Sequence, residues 1–192
     1  MKKAVKSVIR SMNKAPEEKY FDQIQAFNPI TAGNMVCISD ITRGVEVTQR
    51  IANEVYLKHL EVRLSAYLSS LTTRAAIRYI IFVDTMGVNQ PSPPDLLDNG
   101  LLGTSYTDIS PYNWDYRKRF RIKKDKVLSL TRGGPNEYIQ ESFTIPLNIK
   151  GYNIGAGTTF KNAVYIFIVG SETNVLNLST FQYGIRLHYT DE

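Results

Sequence analysis

The chain has 192 residues, 43% hydrophobic and 21% charged, which is enough for one domain with a real core. No stretch approaches about 18 uninterrupted apolar residues, which excludes a membrane-spanning helix, and the single cysteine, Cys37, excludes an internal disulfide. The net charge of +5 is unevenly placed. Residues 1–14 hold Lys2, Lys3, Lys6, Arg10 and Lys14 and no acid, whereas the remainder balances 18 basic against 18 acidic residues. A positive arm on a neutral body points to nucleic acid or a membrane surface.

In that arm Ala4, Val5, Val8, Ile9 and Met12 recur at helical spacing, with the basic residues mostly between them. The pattern predicts a short basic amphipathic helix that ends before Pro16. A helix of about three turns is marginal alone and needs a partner: its own domain, copies of itself or a polyanion. There is no apolar block followed by a small-residue cleavage site, so no signal peptide is expected. The chain divides into an arm, 1–18, and a shell of strands, 19–192.

After a polar, Gly-containing stretch, MVCISDI (35–41) reads as a short edge strand. VYLKHLEVRLSAYL (55–68) alternates over much of its length, and AIRYIIFVDT (76–85) is apolar enough to be buried on both faces. Residues 86–118 have little periodicity beyond a helical hint at PDLLDN (94–99); a connection of that length is functional or packs as an insertion. Four further strands are predicted: RFRIKKDKVLSLT (119–131), YIQESFTIPLN (138–148), AVYIFIVGS (163–171) and FQYGIRLHYT (181–190). Gly87, PSPP at 91–94, RGGPN at 132–136 and GAG at 155–157 supply the turns. Many strands, unequal connections and almost no helix predict an all-β fold, an antiparallel eight-stranded jelly-roll sandwich.

Catalytic chemistry is hard to find. There is no G-x-S-x-G elbow and no P-loop. His59 and His188 sit in strand patterns without a nearby partner at metal-ligand spacing, and both read as ordinary strand histidines. Cys37 reads as a small buried hydrophobe. No enzymatic role is expected. Acids gather near the chain ends, at Glu17, Glu18, Asp191 and Glu192. Carboxylates from separate segments can share a Ca²⁺ ion, or be simply solvated.

The most unusual stretch is SPYNWDYRKRFRIKKDK (110–126), in which seven of the ten residues from Arg117 to Lys126 are basic. Alternation sends Phe120 and Ile122 toward the core of the sandwich and Arg119, Arg121 and Lys123 to the opposite, outer face. Such a ladder repels itself and wants counter-charge, from acids on neighbouring strands or from phosphate. With the basic arm as a second element, phosphate is favoured. The candidate nucleic-acid contacts are therefore Lys2, Lys3, Lys6, Arg10, Lys14, Arg117, Lys118, Arg119, Arg121 and Lys123.

These features, in this order, resemble the small single jelly-roll capsid proteins of satellite viruses of the tobacco necrosis type and of circular, Rep-encoding single-stranded DNA viruses. The resemblance rests on the basic N-terminal segment, EEKYF, ITRGVEVTQRIANEVYLKHLEVR, IRYIIFVDTMGVNQPSPPDLL, SPYNWDYRKRFRIKKDKVLSL and the closing LHYTDE. It implies a capsid protein that assembles with itself, through threefold and fivefold contacts, into a T=1 icosahedral shell of about 60 copies. The arm would face inward and bind single-stranded RNA or DNA, and the protein would reside in the virion after assembly in the host cell. It further implies Ca²⁺ between subunits. Glu17 and Asp191 fall at matching places, and Glu54 lies where a polar ligand is expected. The chain departs from that pattern at Val45, where relatives carry an acid, and in the small number of charges on its arm. The rival reading is a cellular single-stranded nucleic-acid-binding β-sandwich or OB-like module, which needs aromatic residues on its binding face.

Overall fold

A computed structural model describes residues 17–46, 48–99, 105–153, 160–174 and 177–191. The predicted N-terminal helix lies outside these residues. Among the described residues, eight principal strands and one two-residue strand form two antiparallel sheets, as expected of a jelly roll. In chain order they are β1 (Glu18–Phe27), β2 (Asn34–Cys37), β3 (Glu54–Tyr67), β4 (Arg74–Asp84), β5 (Phe120–Thr131), β6 (Tyr138–Asn153), β7 (Phe160–Lys161), β8 (Ala163–Gly170) and β9 (Thr180–Asp191), with one helical turn, α1 (Pro93–Leu96), between β4 and β5. One sheet has the order β1-β9-β3-β6-β7 and the other β2-β8-β4-β5.

β1 was not among the predicted strands. It pairs along its whole length with β9, from Glu18 opposite Thr190 to Phe27 opposite Phe181. Its alternation is disguised because Lys19, Gln23 and Gln25 share a face with Phe21 and Phe27. Lys19 is nevertheless buried, with its charge answered by Asp191.

β3 shows how a period-two pattern survives an irregularity. Val55 and Leu57 are buried, and then Leu60, Val62, Leu64 and Ala66, so the inward phase moves from odd to even numbers. The switch lies at Lys58, where the register against β9 jumps from Leu57–Tyr189 to His59–His188. The extra residue is a β-bulge. Everything after it is re-aimed, and His59, Glu61 and Arg63 come to the outer face.

Two apolar clusters result. The main core lies between the sheets and contains Leu57, Val62, Tyr79, Ile81, Ile166, Phe181 and Tyr189. The second lies on the far face of the four-stranded sheet, where Ile80, Phe82, Tyr165 and Phe167 are covered by Leu96, Leu97 and Tyr106 of the β4–β5 connection. The described parts of the aperiodic segment, 86–99 and 105–118, thus pack as an insertion, which is why β8 is buried at every position. Its α1 turn is closed by Asp95, whose Oδ2 accepts from the Ser92 amide at 2.9 Å.

Phe120 and Ile122 pack against this second cluster and not the core between the sheets, correcting the sequence reading. Phe120 meets Phe82 edge to face at 5.1 Å between centroids. A bulge at Lys123, between the pairs Phe82–Ile122 and Ile81–Lys124, shifts the phase so that Leu128 and Leu130 of the same strand enter the main core.

Candidate nucleic-acid interface

β5 is the free edge of its sheet, and in the other sheet the strand beside it is β6. The basic run is therefore not a ladder on the outer face of a sheet. Arg121 stands opposite Val83, a main-core residue, and so projects on the side of β5 turned toward the facing sheet. There it reaches the rim and is exposed. Lys123, on the bulge, donates from Nζ to the Pro146 carbonyl at 3.4 Å. Lys124 lies over the Phe143 ring at 4.8 Å, and Lys126 pairs with Glu141. The result is a file of cations along the open seam between β5 and β6.

These cations are not equivalent. Lys126 is neutralised by Glu141, which also accepts from the Tyr79 hydroxyl at 3.0 Å. Lys118 and Arg121 are exposed and have no acidic partner among the described residues. Half-burial, together with the positive charge of Arg121 nearby, pushes the Lys123 ammonium below its usual range. A pair of neighbouring cations that repel each other at a rim is a place where an anion is stabilised. Arg117, also exposed, stacks on Trp114 at 4.1 Å and donates to the Trp114 carbonyl at 2.9 Å. Its guanidinium stays open to solvent, and Trp114 is itself 71% exposed.

Arg119 does not belong with them. It is 6% exposed, and its Nε and Nη2 donate to the two carboxylate oxygens of Asp84 at 3.1 and 2.8 Å. Nη2 also donates to the Asn89 carbonyl at 2.6 Å, and Nη1 lies 3.7 Å from Asp95. Burial opposes the charge, but the Asp84 hydrogen bonds outweigh it and hold the guanidinium above its usual range. Nε and Nη2 are spent on fastening the end of the long connection to its start and to the end of β4. The expectation that Arg119 meets phosphate is therefore withdrawn. Lys2, Lys3, Lys6, Arg10 and Lys14 lie outside the described residues.

The implied calcium ligands do not converge within one chain. Glu17 and Glu54 are exposed, and neither joins Asp191 in a common group of ligand atoms. Asp191 already has a cation: Lys19 Nζ lies 2.7 Å from its Oδ2, which also accepts from the Ile51 amide at 3.3 Å. With Val45 where the resemblance implies an acid, the residues present do not fit a calcium site in the isolated subunit.

Sequence reasoning also missed a polar cluster on the outer face of the five-stranded sheet. His59 and His188 are neighbours across β3 and β9, with rings stacked at 4.1 Å and 17°. Glu18 faces one end of the His188 ring and Glu61 the other. No spacing within either strand announces this, because only the pairing register brings the residues together.

A family model described as satellite tobacco necrosis virus coat protein matches residues 1–192. No curated protein matches the chain. Among solved structures, that of Desmodium yellow mottle tymovirus aligns with a TM-score of 0.44 at 10% identity, covering 93% of this chain and 90% of that chain. A structure described as "Bacillus endospore appendages form a novel family of disulfide-linked pili" aligns with a TM-score of 0.31 at 10% identity, over 94% of each chain. Similarities that remote carry no argument about what the chain does.

Proposed function

The chain belongs to the satellite tobacco necrosis virus coat protein family, and from that premise we propose that it is the repeating subunit of a closed T=1 shell of about 60 copies that packages single-stranded nucleic acid. The observation that carries this reading is the family match over the whole chain, basic arm included. Two positive elements supply the contacts. The arm contributes Lys2, Lys3, Lys6, Arg10 and Lys14. The β5 rim contributes Arg117, Lys118, Arg121 and Lys123, supported by the lack of acidic partners for Lys118 and Arg121 among the described residues.

Such binding reads charge and not sequence. Each phosphate neutralised releases counterions, and affinity falls as salt rises. The rival OB-like reading needs stacking aromatics on its binding face. On β5 the aromatic residue, Phe120, packs against Phe82 beneath the long connection, and the exposed Trp114 carries the Arg117 guanidinium on its ring.

The test is nucleic-acid content. Particles formed by the full chain should protect nucleic acid from nuclease, and removal of residues 1–14 should lower the ratio of absorbance at 260 to 280 nm. An unchanged ratio in particles lacking both the arm and the Arg121 charge would overturn the packaging role.

A further inference from the structure

The cluster on the outer face of the five-stranded sheet has the make-up of a transition-metal site. Three adjacent strands contribute: β1 gives Glu18, β9 gives His188, and β3 gives His59 and Glu61. His188 Nδ1 donates to Glu18 Oε1 at 3.1 Å, which in the neutral ring places the proton on Nδ1 and leaves a lone pair on Nε2. That Nε2 is shut off from solvent and has no hydrogen-bond partner. It faces Glu61 Oε1 at 3.4 Å, and His59 Nε2 lies 3.9 Å from the same oxygen.

We propose that this face binds one first-row transition ion of the zinc class, with His188 Nε2, His59 and Glu61 as ligands and Glu18 holding the His188 ring in place. The distances suit it. Metal–ligand bonds of about 2.1 Å require donor atoms within about 4.2 Å of one another, and both histidine–Glu61 separations satisfy that limit. The three groups whose ligand atoms already lie within 4.8 Å of one another are Glu18, His59 and His188; bringing Glu61 together with both histidines requires one of the stacked rings to turn. A carboxylate on the far nitrogen of a metal-binding imidazole fixes its tautomer and orientation, which is the position of Glu18. Lys58 Nζ pairs with the other Glu18 oxygen, Oε2, at 2.8 Å and leaves Oε1 to the histidine.

Two imidazoles and a carboxylate select zinc, nickel or copper over calcium, which prefers oxygen donors. In the metal-free arrangement the rings are stacked, so one must turn for its lone pair to meet the ion. His59, at 33% side-chain exposure against 21% for His188, is the freer to do so. An ion there joins β9 to β3, with β1 attached through the Glu18–His188 hydrogen bond, on a sheet whose outer face has no other cross-link of this kind among the described residues.

The test uses untagged full-length protein, stripped with chelator and titrated with Zn²⁺ by calorimetry and with Co²⁺ by visible absorption. One ion per chain is expected, with the strong visible bands of four- or five-coordinate Co²⁺. His188→Ala and Glu61→Gln should each weaken Zn²⁺ binding more than 100-fold. Glu18→Gln should weaken it about 10- to 100-fold as an orienting partner. Binding should weaken as pH falls, since the ligands must be deprotonated. Binding that is sub-stoichiometric, or unchanged in His188→Ala with its native sheet content intact by circular dichroism, would overturn the proposal.

Discussion

Arg78 on β4 grips Asp125 on β5 through both carboxylate oxygens, with Nε to Oδ1 at 2.9 Å and Nη2 to Oδ2 at 2.7 Å. The remaining guanidinium nitrogen, Nη1, donates to the Ser110 carbonyl at 2.6 Å and the Asp108 carbonyl at 3.3 Å. The Tyr112 hydroxyl completes the group by donating to Asp125 Oδ2 at 2.5 Å. One arginine thus joins two neighbouring strands to the long connection that covers them.

Arg78→Ala should destabilise the subunit by about 3 kcal/mol, because it removes a buried guanidinium and leaves a partly exposed carboxylate and two carbonyls without their donor. Asp125→Asn should cost less, about 1–3 kcal/mol, since the amide keeps part of the bonding. Denaturant unfolding of the dissociated subunit measures both.

The same group sets an acid limit. Burial alone would raise the Asp125 carboxyl, but hydrogen bonds from Arg78 and Tyr112 outweigh it and hold the group below the usual carboxylate range. A carboxyl depressed by folding contributes stability that is present above its unfolded value and is lost as pH falls through the folded one. Stability should therefore decline below about pH 4, and the decline should be shallower in Asp125→Asn. Equal slopes in the two proteins would contradict this assignment.

Arg119 and Arg121, two residues apart, should behave as different kinds of residue. Arg119→Ala breaks a buried pair with Asp84 and should cost about 3–5 kcal/mol. Arg121→Ala removes an exposed charge and should change stability by less than about 0.5 kcal/mol. It should instead lower nucleic-acid retention, with the salt slope of binding falling by about one unit for each phosphate that is no longer neutralised. Unfolding curves and salt titrations of the two variants, side by side, distinguish them.

The contrast shows what the sequence made legible. The strand runs from 55 to 190 are carried by alternation and β-branched or aromatic residues, and they are where expected. β1 was hidden because polar side chains share its inward face, and Lys19 needs an acid 172 positions away to be buried there. The fate of Arg119 was equally hidden, since the run 117–126 does not contain the partner that consumes its charge. The phase of Phe120 and Ile122 was misassigned because the sheet has apolar residues on both faces, and a bulge at Lys123 changes which face is which. Bulges and long-range pairs are properties of the register, and composition does not report them.

Close packing offers a test of the sandwich itself. A Cβ added at Gly170, the last residue of β8, would lie 2.4 Å from the Pro29 carbonyl oxygen, a backbone atom that cannot move aside cheaply. Gly170→Ala should cost about 1–3 kcal/mol. Gly134→Ala, where the nearest atom would be 3.6 Å away, serves as the control and should be tolerated. A thermal shift in the second variant as large as in the first would contradict the packing described for that strand end.

The central claim is that this chain is the subunit of a closed shell, and its native mass tests that most directly. Light scattering on the purified full-length protein should give a particle of about 1.3 MDa or more from a chain of 21.8 kDa, as about 60 copies with any packaged nucleic acid require. A species near the mass of the single chain, under conditions where the sandwich is folded, would contradict it.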